Sequence, residues 1–132
     1  MKYLLDTDIC IYIIKKKPDK ILRRLLKMRP EDIGISSITL SELEYGVQKS
    51  GNPERNRIAL IEFLAPVDIL HYDDMAAIEY GKIRTYLERQ GKIIGSMDLL
   101  IASHASALGR ALVTNNIKEF RRVPGLRVLN WA

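Results

Sequence analysis

The chain has 132 residues, of which 47% are hydrophobic, and this length and composition predict a single globular domain spanning 1–132. Lys and Arg outnumber Asp and Glu by 21 to 16, giving a formal charge of +5 that favours an anionic partner such as nucleic acid. The one cysteine, Cys10, excludes an internal disulfide, and no apolar stretch is long enough to cross a bilayer. We therefore expect a cytoplasmic protein with no membrane partner.

Strand and helix patterns alternate in the first half of the chain. Strands are predicted at 3–5 and 33–36, where short apolar runs are bounded by polar residues or proline. Helices are predicted from Ile9 to Ile14, through Ile21, Leu22, Leu25 and Leu26, from about Ser41 to Gln48, and after Pro53. The apolar residues of the first two helices are expected to face the core; these include Ile13, Ile14, Leu25 and Leu26.

The second half continues the alternation. It is predicted to contain a strand at 67–70, a long amphipathic helix after Asp73-Asp74, a helix from about Asp98 to Gly109, and strands at 111–114 and 126–129. Such alternation predicts an α/β fold with a central, mostly parallel sheet of four or five strands.

Three isolated carboxylates lie where an apolar segment gives way to the start of a helix. Asp6 ends the first apolar run, Glu42 follows the second, and Asp98 opens an apolar helix. In an open parallel sheet these positions share one edge, where ligands bind. Since close carboxylates repel unless a hard cation neutralises them, the pattern suggests a Mg²⁺ site, with Mn²⁺ as a substitute.

Each acid also has a structural interpretation. Thr39 and Glu42 match a capping box, Asp98 complements the dipole of its helix, and Asp6 is placed to accept bonds from backbone N–H groups at a turn. A fourth ligand remains open between Asn116, which offers an amide oxygen, and Glu119, one helical turn later. Glu119 is equally explained as an exposed acid that pairs with Arg122.

Four segments of the chain resemble PIN-domain proteins, and among them the VapC-type toxin ribonucleases of bacterial type II toxin–antitoxin systems. The segments, in chain order, are LLDTDIC at 4–10, SSITLSELEYG at 36–46, GSMDLLIA at 95–102, and LVTNN at 112–116 with the following EF and VPGL. The resemblance implies a three-layer α/β/α PIN fold, Mg²⁺-dependent endoribonuclease activity, a homodimer and a cognate antitoxin. Operator DNA would be bound only indirectly, through that antitoxin.

The resemblance also implies roles for particular residues. Asp6, Glu42 and Asp98 would be the catalytic, metal-binding acids, with Glu119 as a further candidate ligand and Asn116 in the outer shell. The sequence departs from the family at two positions: Asp8 stands where Asn is common, and Asn116 stands where broader PIN proteins have an acid. Asp8 therefore either adds charge near the metal or caps the first helix.

The implied reaction is hydrolysis of an RNA phosphodiester by water. Mg²⁺ lowers the pKa of the attacking water and neutralises developing charge, so in-line attack leaves a 5′-phosphate and a 3′-hydroxyl. A structured RNA loop, such as that of a tRNA, is the expected substrate class. Candidates for phosphate contacts are Lys15, Lys16, Lys17, Arg84, Arg121 and Arg122, and most of these are also explained as solvated surface cations.

Three other functions remain open from the sequence. Asp6-Thr7-Asp8 superficially matches the Asp-x-Asp of haloacid-dehalogenase-like phosphatases, but Ile9-Cys10 replaces the Gly-Thr that follows. A histidine-based ribonuclease would need His71 and His104, and His104 is interpreted as a packed core residue. A non-catalytic RNA-binding or regulatory module with a degenerate metal site is favoured by Asn116.

Overall fold

Five parallel strands form the central sheet in the computed structural model, which describes residues 1–15 and 19–131. The strands are β1 (Tyr3–Leu5), β2 (Ile33–Ser36), β3 (Asp68–Leu70), β4 (Ala111–Val113) and β5 (Val128–Leu129). They are ordered β3-β2-β1-β4-β5, and every neighbouring pair is parallel. Because the chain starts in the centre and later returns to add β4, the strand order reverses between β1 and β4. Open α/β sheets bind ligands at the carboxyl end of such a switch point.

Helices connect the strands throughout the described part of the chain. They are α1 (Thr7–Ile14), α2 (Asp19–Leu26), a 3₁₀ turn (Pro30–Asp32), α3 (Ser37–Lys49), α4 (Pro53–Leu64), α5 (Asp74–Gln90), α6 (Ser96–Leu108) and α7 (Ile117–Phe120). Left-handed glycines end the two longest helices of the second half, Gly91 after α5 and Gly109 after α6, with φ of 65° and 66°. Among the described residues, none of the helices combines the length and apolarity that a membrane span requires.

Two hydrophobic cores lie on opposite faces of the sheet. Adjacent residues of β1 point to opposite sides, so Leu5 packs with residues of α1–α4 and Leu4 packs with residues of α5–α7. Both leucines are fully buried. The predicted three-layer α/β/α arrangement is confirmed, and the sheet has five strands rather than four.

Two predictions about the early helices are wrong. Helix α3 begins at Ser37, not near Ser41, because the hydroxyl of Ser36 caps it by accepting from the N–H of Ile38 at 3.0 Å. Leu26 does not face the core: it is 75% exposed at the end of α2, whereas Ile13 is buried as predicted. The phosphate contacts predicted for Lys16 and Lys17 concern residues outside the described part of the chain.

Candidate active site

Asp6 occupies the switch point of the sheet. It follows β1 directly, is 5% exposed, and is the N-cap of α1. One carboxylate oxygen accepts from the backbone N–H of Thr7 at 2.8 Å, and the other accepts from the hydroxyl of Thr114 at 2.7 Å. Thr114 directly follows β4, so its hydroxyl joins the ends of β1 and β4 at this edge of the sheet. The predicted bond between Asp6 and a backbone N–H of the turn is confirmed.

The environment of Asp6 disfavours its negative charge. Burial raises the pKa of Asp6 to about 7, and the negative charge of Asp8 adds to this increase. The hydrogen bonds from Thr114 and Thr7 act in the opposite direction, and the charge of Asp98 raises the pKa further. In the absence of a cation, Asp6 is therefore protonated for part of the time at neutral pH.

Asp8 adds a second carboxylate in the first turn of α1. One oxygen accepts from the N–H of Asn115 at 3.0 Å, while the other is buried and has no hydrogen-bond partner. Burial raises the pKa of Asp8 as well. The N-cap of α1 is Asp6, so Asp8 adds charge at this edge and links α1 to the end of β4.

Glu42 reaches the same edge from the second turn of α3. Its carboxylate accepts from the hydroxyl of Thr7 at 2.6 Å. Thr39 lies inside the helix and is buried, and its hydroxyl is 3.3 Å from that of Thr7. The predicted capping box of Thr39 and Glu42 is therefore wrong: Ser36 caps α3, and Glu42 is directed toward the first turn of α1.

Asp98 and Glu119 form the opposite side of the acidic edge. Asp98 lies in the first turn of α6, where its charge complements the helix dipole as predicted. A Cβ built on Gly95 would lie 3.4 Å from a carboxylate oxygen of Asp98 and 3.6 Å from one of Glu119. Glycine at this position thus lets both carboxylates approach the backbone before α6.

The pKa values of these two acids move in opposite directions. Burial raises the pKa of Asp98 to about 6, and the nearby charge of Glu119 contributes to the increase. The pKa of Glu119 is lowered, mainly because its carboxylate accepts from the N–H of Gly95 at 2.7 Å. Its other oxygen accepts from the side-chain amide of Asn116 at 2.8 Å. Glu119 is thus held ionised beside Asp98.

The interpretation of Glu119 as an exposed acid paired with Arg122 does not hold. Glu119 is half-buried and bound to Gly95 and Asn116, and the guanidinium of Arg122 instead donates to the carbonyl of Ile93 at 3.1 Å. Asn116 therefore has a definable task, because it orients the carboxylate of Glu119.

The predicted acids thus gather at one edge of the sheet. Asp6 lies within electrostatic reach of Asp8 and Asp98, and Asp98 also lies within reach of Glu42 and Glu119. Among the described residues, no ion pair neutralises any of these five carboxylates. Within 1–15 and 19–131, no three Asp, Glu, His or Cys side chains are close enough to hold a metal ion in this conformation.

The chemistry of this edge nevertheless fits a hard divalent cation. The donors are all oxygen atoms, one buried carboxylate oxygen of Asp8 has no partner, and the pKa values of Asp6 and Asp98 are raised by burial and by the charges of neighbouring carboxylates. Like charges without a counterion separate and accept local hydrogen bonds, as Glu42 and Glu119 do. Binding an ion would require acids of this edge to come closer together than they are in this conformation.

Sequence reasoning missed the neutral residues that orient the acids. Thr7 donates to Glu42, Thr114 donates to Asp6, and Gly95 donates to Glu119. Thr7 and Gly95 lie in the segments that resemble the family, but their partners are 35 and 24 residues away. No local signal specifies such pairs.

His104 and Cys10 are packed in the core and do not take part in this site. His104 is 1% exposed, its Nδ1 lies 2.8 Å from the hydroxyl of Ser36, and its ring packs edge-on against Tyr72. Burial lowers the pKa of His104 and raises that of the Cys10 thiol well above its usual range. His104 is therefore a packed core residue as predicted, and Cys10 is a buried small hydrophobe as predicted.

Comparison with known proteins gives the class of this site. A family model described as PIN domain matches residues 3–126, and the chain belongs to the PIN-domain family. It is 50% identical to Ribonuclease VapC2 of Rickettsia felis, over 99% of this chain and 98% of the relative. It is 45% identical to the tRNA(fMet)-specific endonuclease VapC of Salmonella typhimurium, over 100% of this chain and 99% of the relative.

A solved structure agrees with this assignment. The structure of VapBC2 from Rickettsia felis bound to a DNA fragment from their promoter contains a chain with a TM-score of 0.93 and 48% identity. The match covers 100% of both chains. The resemblance to VapC-type toxin ribonucleases is thereby confirmed, and the haloacid-dehalogenase-like alternative is not supported.

Proposed function

We propose that this chain is the toxin endoribonuclease of a toxin–antitoxin pair and hydrolyses RNA phosphodiester bonds with the help of Mg²⁺. One observation carries the proposal: carboxylates from β1, α1, α3, α6 and α7 gather at the switch point of a basic protein. Burial and mutual repulsion raise the pKa values of Asp6 and Asp98 there to about 7 and about 6. Such perturbed acids mark functional sites.

Each residue of the edge has a part in this proposal. Asp6, Glu42 and Asp98 would hold the ion, with Glu119 completing the set from the side of α7. Thr114 and Thr7 orient Asp6 and Glu42, and Asn116 orients Glu119. When bound, Mg²⁺, or Mn²⁺ in its place, would lower the pKa of water and neutralise charge developing on the phosphate.

The proposed substrate is a structured RNA loop, such as that of a tRNA. This choice is supported by the relative from Salmonella typhimurium, whose name gives a tRNA(fMet)-specific endonuclease. Unstacked bases in loops are the parts of an RNA that proteins read most readily, and the formal charge of +5 favours phosphate contacts. Action on such an RNA would take place in the cytoplasm.

An antitoxin is the proposed protein partner, with operator DNA bound only through it. An apolar groove of about 340 Å³ runs between α1, α3 and α4 and has Glu42 on its lining. Its apolar walls comprise Ile11, Ile14, Leu43, Val47 and Leu60. A peptide segment seated there would place a basic side chain next to the acids and block the site.

The proposed assembly is a homodimer formed through α5. Three large apolar side chains of this helix are more than 40% exposed: Met75, Ile78 and Tyr86. Asp74 lies in the first turn and Arg89 in the last. Two copies of α5 that meet antiparallel about a two-fold axis near Gly81 would bury the apolar side chains and bring Asp74 opposite Arg89.

The alternative is a non-catalytic RNA-binding module that shares the fold. Asn116 at a position that is acidic in broader PIN proteins favours it, as does the separation of the carboxylates in this conformation. The two functions differ in one respect: the alternative binds RNA and leaves it intact.

The deciding experiment is an RNA cleavage assay on the purified chain. We expect cleavage with Mg²⁺ or Mn²⁺, loss of cleavage in EDTA, and products with 5′-phosphate and 3′-hydroxyl ends. Asp98→Asn should abolish cleavage while preserving the fold, because the amide keeps the shape and loses the charge. The matched control is Glu62→Gln, which neutralises an exposed acid on α4 and should cleave normally. Activity that persists in EDTA and in Asp98→Asn would refute the metal-dependent mechanism.

A further inference from the structure

Helix α2 carries an uninterrupted row of cationic side chains on its solvent face. The row consists of Lys20, Arg23 and Arg24 of α2 and of Lys27 in the turn directly after the helix, all exposed. Residues spaced i, i+3, i+4 and i+7 lie on one side of a helix, and at 1.5 Å per residue this row is about 10 Å long. The opposite side of α2 is anchored, since Ile21 is fully buried in the core. We call these four residues the α2 strip.

The charge of the α2 strip is not compensated within the described structure. Ion pairs of the described residues involve Arg29, Arg57 and Arg84 on the cationic side, and none involves a member of the strip. Among the described residues, the four members of the strip line one shallow depression of the surface. Four like charges this close repel one another, which favours a polyanion that neutralises several of them together.

Two of the cations that the sequence suggested for phosphate contacts, Arg84 and Arg122, are already engaged. Arg84 pairs with Glu88 at 3.2 Å and donates to the hydroxyl of Tyr80, and Arg122 donates to the carbonyl of Ile93. These guanidiniums would have to break internal contacts before binding phosphate. Among the described contacts, the strip residues have no ion pair that would have to break before they bind phosphate.

We propose that the α2 strip is a phosphate-docking surface that binds the backbone of the RNA substrate apart from the acidic edge. The inference rests on the proposed function for the identity of the polyanion. The acidic edge repels phosphate until a cation is bound, so a separate cationic surface is needed to hold the RNA. The strip would supply affinity without sequence selectivity, because phosphates are common to every sequence.

The test measures RNA binding rather than cleavage, with Asp98→Asn as the parent so that the RNA stays intact. In that parent, Arg23→Ala/Lys27→Ala is compared with Lys2→Ala/Arg55→Ala, which removes the same charge from exposed residues elsewhere. Alanine is compatible with the helical conformation of α2, and thermal unfolding verifies the fold of each variant. Affinity for a tRNA mixture is measured at several salt concentrations.

Each lost phosphate contact lowers the slope of log K against log salt by about 0.7 to 0.9. We therefore expect the strip variant to lower the slope by about 1.4 to 1.8, and removal of all four cations to lower it by about 3, while the control variant leaves it nearly unchanged. Equal slopes for strip and control variants would overturn the inference.

The outcome is independent of catalysis. Strip-dependent binding by a chain whose wild type fails to cleave RNA would refute the proposed enzyme and support the strip. Conversely, a wild type that cleaves RNA, but whose RNA affinity is unchanged when the strip residues are replaced, would support the proposed enzyme and refute the α2 strip.

Discussion

At the scale of single residues, burial of charge dominates this protein. Asp6 and Asp98 would ionise near 3.8 in an unfolded chain, but in the folded protein their pKa values are about 7 and about 6. Between pH 3.8 and pH 7, these two carboxyl groups bind more protons in the folded state than in the unfolded state. Their contribution to the free energy of unfolding therefore decreases as the pH rises. A divalent cation at the acidic edge would reverse this trend, because it favours the ionised carboxylates.

The first prediction concerns the pH dependence of metal-free stability. In EDTA, these two carboxyl groups should lower the free energy of unfolding between pH 5 and pH 8, by roughly 2–4 kcal/mol given that each unit of pKa displacement is worth about 1.4 kcal/mol. The lowered pKa of His104 acts in the opposite direction and offsets part of this decrease. Urea unfolding at the two pH values measures it. Asp6→Asn should flatten the dependence, since an amide cannot ionise. A wild type that becomes more stable at pH 8 in EDTA would contradict the raised pKa values.

The second prediction concerns Thr114, whose buried hydroxyl donates to Asp6 and accepts from the N–H of Asn116 at 2.9 Å. Thr114→Val keeps the shape and removes the partner of the buried Asp6 carboxylate and of the N–H of Asn116, so we expect a loss of about 1–3 kcal/mol in urea unfolding. The variant should also need more Mg²⁺ for half-maximal cleavage, because Asp6 is no longer oriented. Thr114→Ser restores the hydroxyl and should recover the Mg²⁺ requirement. If valine and serine behave alike, the hydroxyl has no positioning role.

At the scale of helices and strands, one side chain can both cap a helix and make a contact between distant elements. Ser36 is the N-cap of α3, and its hydroxyl also lies 2.8 Å from Nδ1 of His104 in α6. It thereby ties the end of β2 to helices on both faces of the sheet. The start of α3 in turn fixes the position of Glu42, so this cap contributes to the geometry of the site.

The third prediction follows from this double role. Ser36→Ala should destabilise the protein by about 2–3 kcal/mol, since it removes a cap and leaves a buried imidazole nitrogen without its partner. Asn52→Ala is the matched comparison, because Asn52 caps α4 through one bond to the N–H of Arg55 and is exposed. It should cost only about 1 kcal/mol. Urea unfolding compares the two, and equal losses would show that the His104 contact adds nothing.

At the scale of the whole molecule, two kinds of surface surround the sheet. The acidic edge lies at the carboxyl ends of β1 and β4, while cationic and apolar side chains are exposed on the outer helices. The exposed apolar side chains of α5 are the basis for the proposed homodimer.

The fourth prediction tests that dimer. Ile78→Lys should shift the chain toward the monomer, because it places a desolvated charge at the centre of the proposed interface. Ile58→Lys on α4 is the matched control, since both isoleucines are more than half exposed, and it should leave the assembly unchanged. Sedimentation velocity measures the mass of each variant. A wild type that is monomeric, or an Ile78→Lys variant that stays dimeric, would rule out this face.

The sequence by itself determined the order and type of the elements and the edge at which the acids lie. Short apolar runs typical of strands alternate with segments of helical periodicity, and this alternation favours a parallel sheet. In a parallel sheet, the positions of Asp6, Glu42 and Asp98 lie at the edge formed by the carboxyl ends of the strands. The family was also evident, because four motifs occur in order along nearly the whole chain.

Tertiary structure alone decided how those acids are held and charged. The bonds from Thr7 to Glu42, from Thr114 to Asp6 and from Gly95 to Glu119 join residues 35, 108 and 24 positions apart. Their existence depends on strand register and helix packing, which no local pattern encodes. The start of α3 is a further example. The local sequence pattern predicted a capping box at Thr39 and Glu42, whereas the helix is capped by Ser36, whose hydroxyl also contacts His104 on the other face of the sheet. The raised pKa values likewise arise from burial and from charges brought together only by folding.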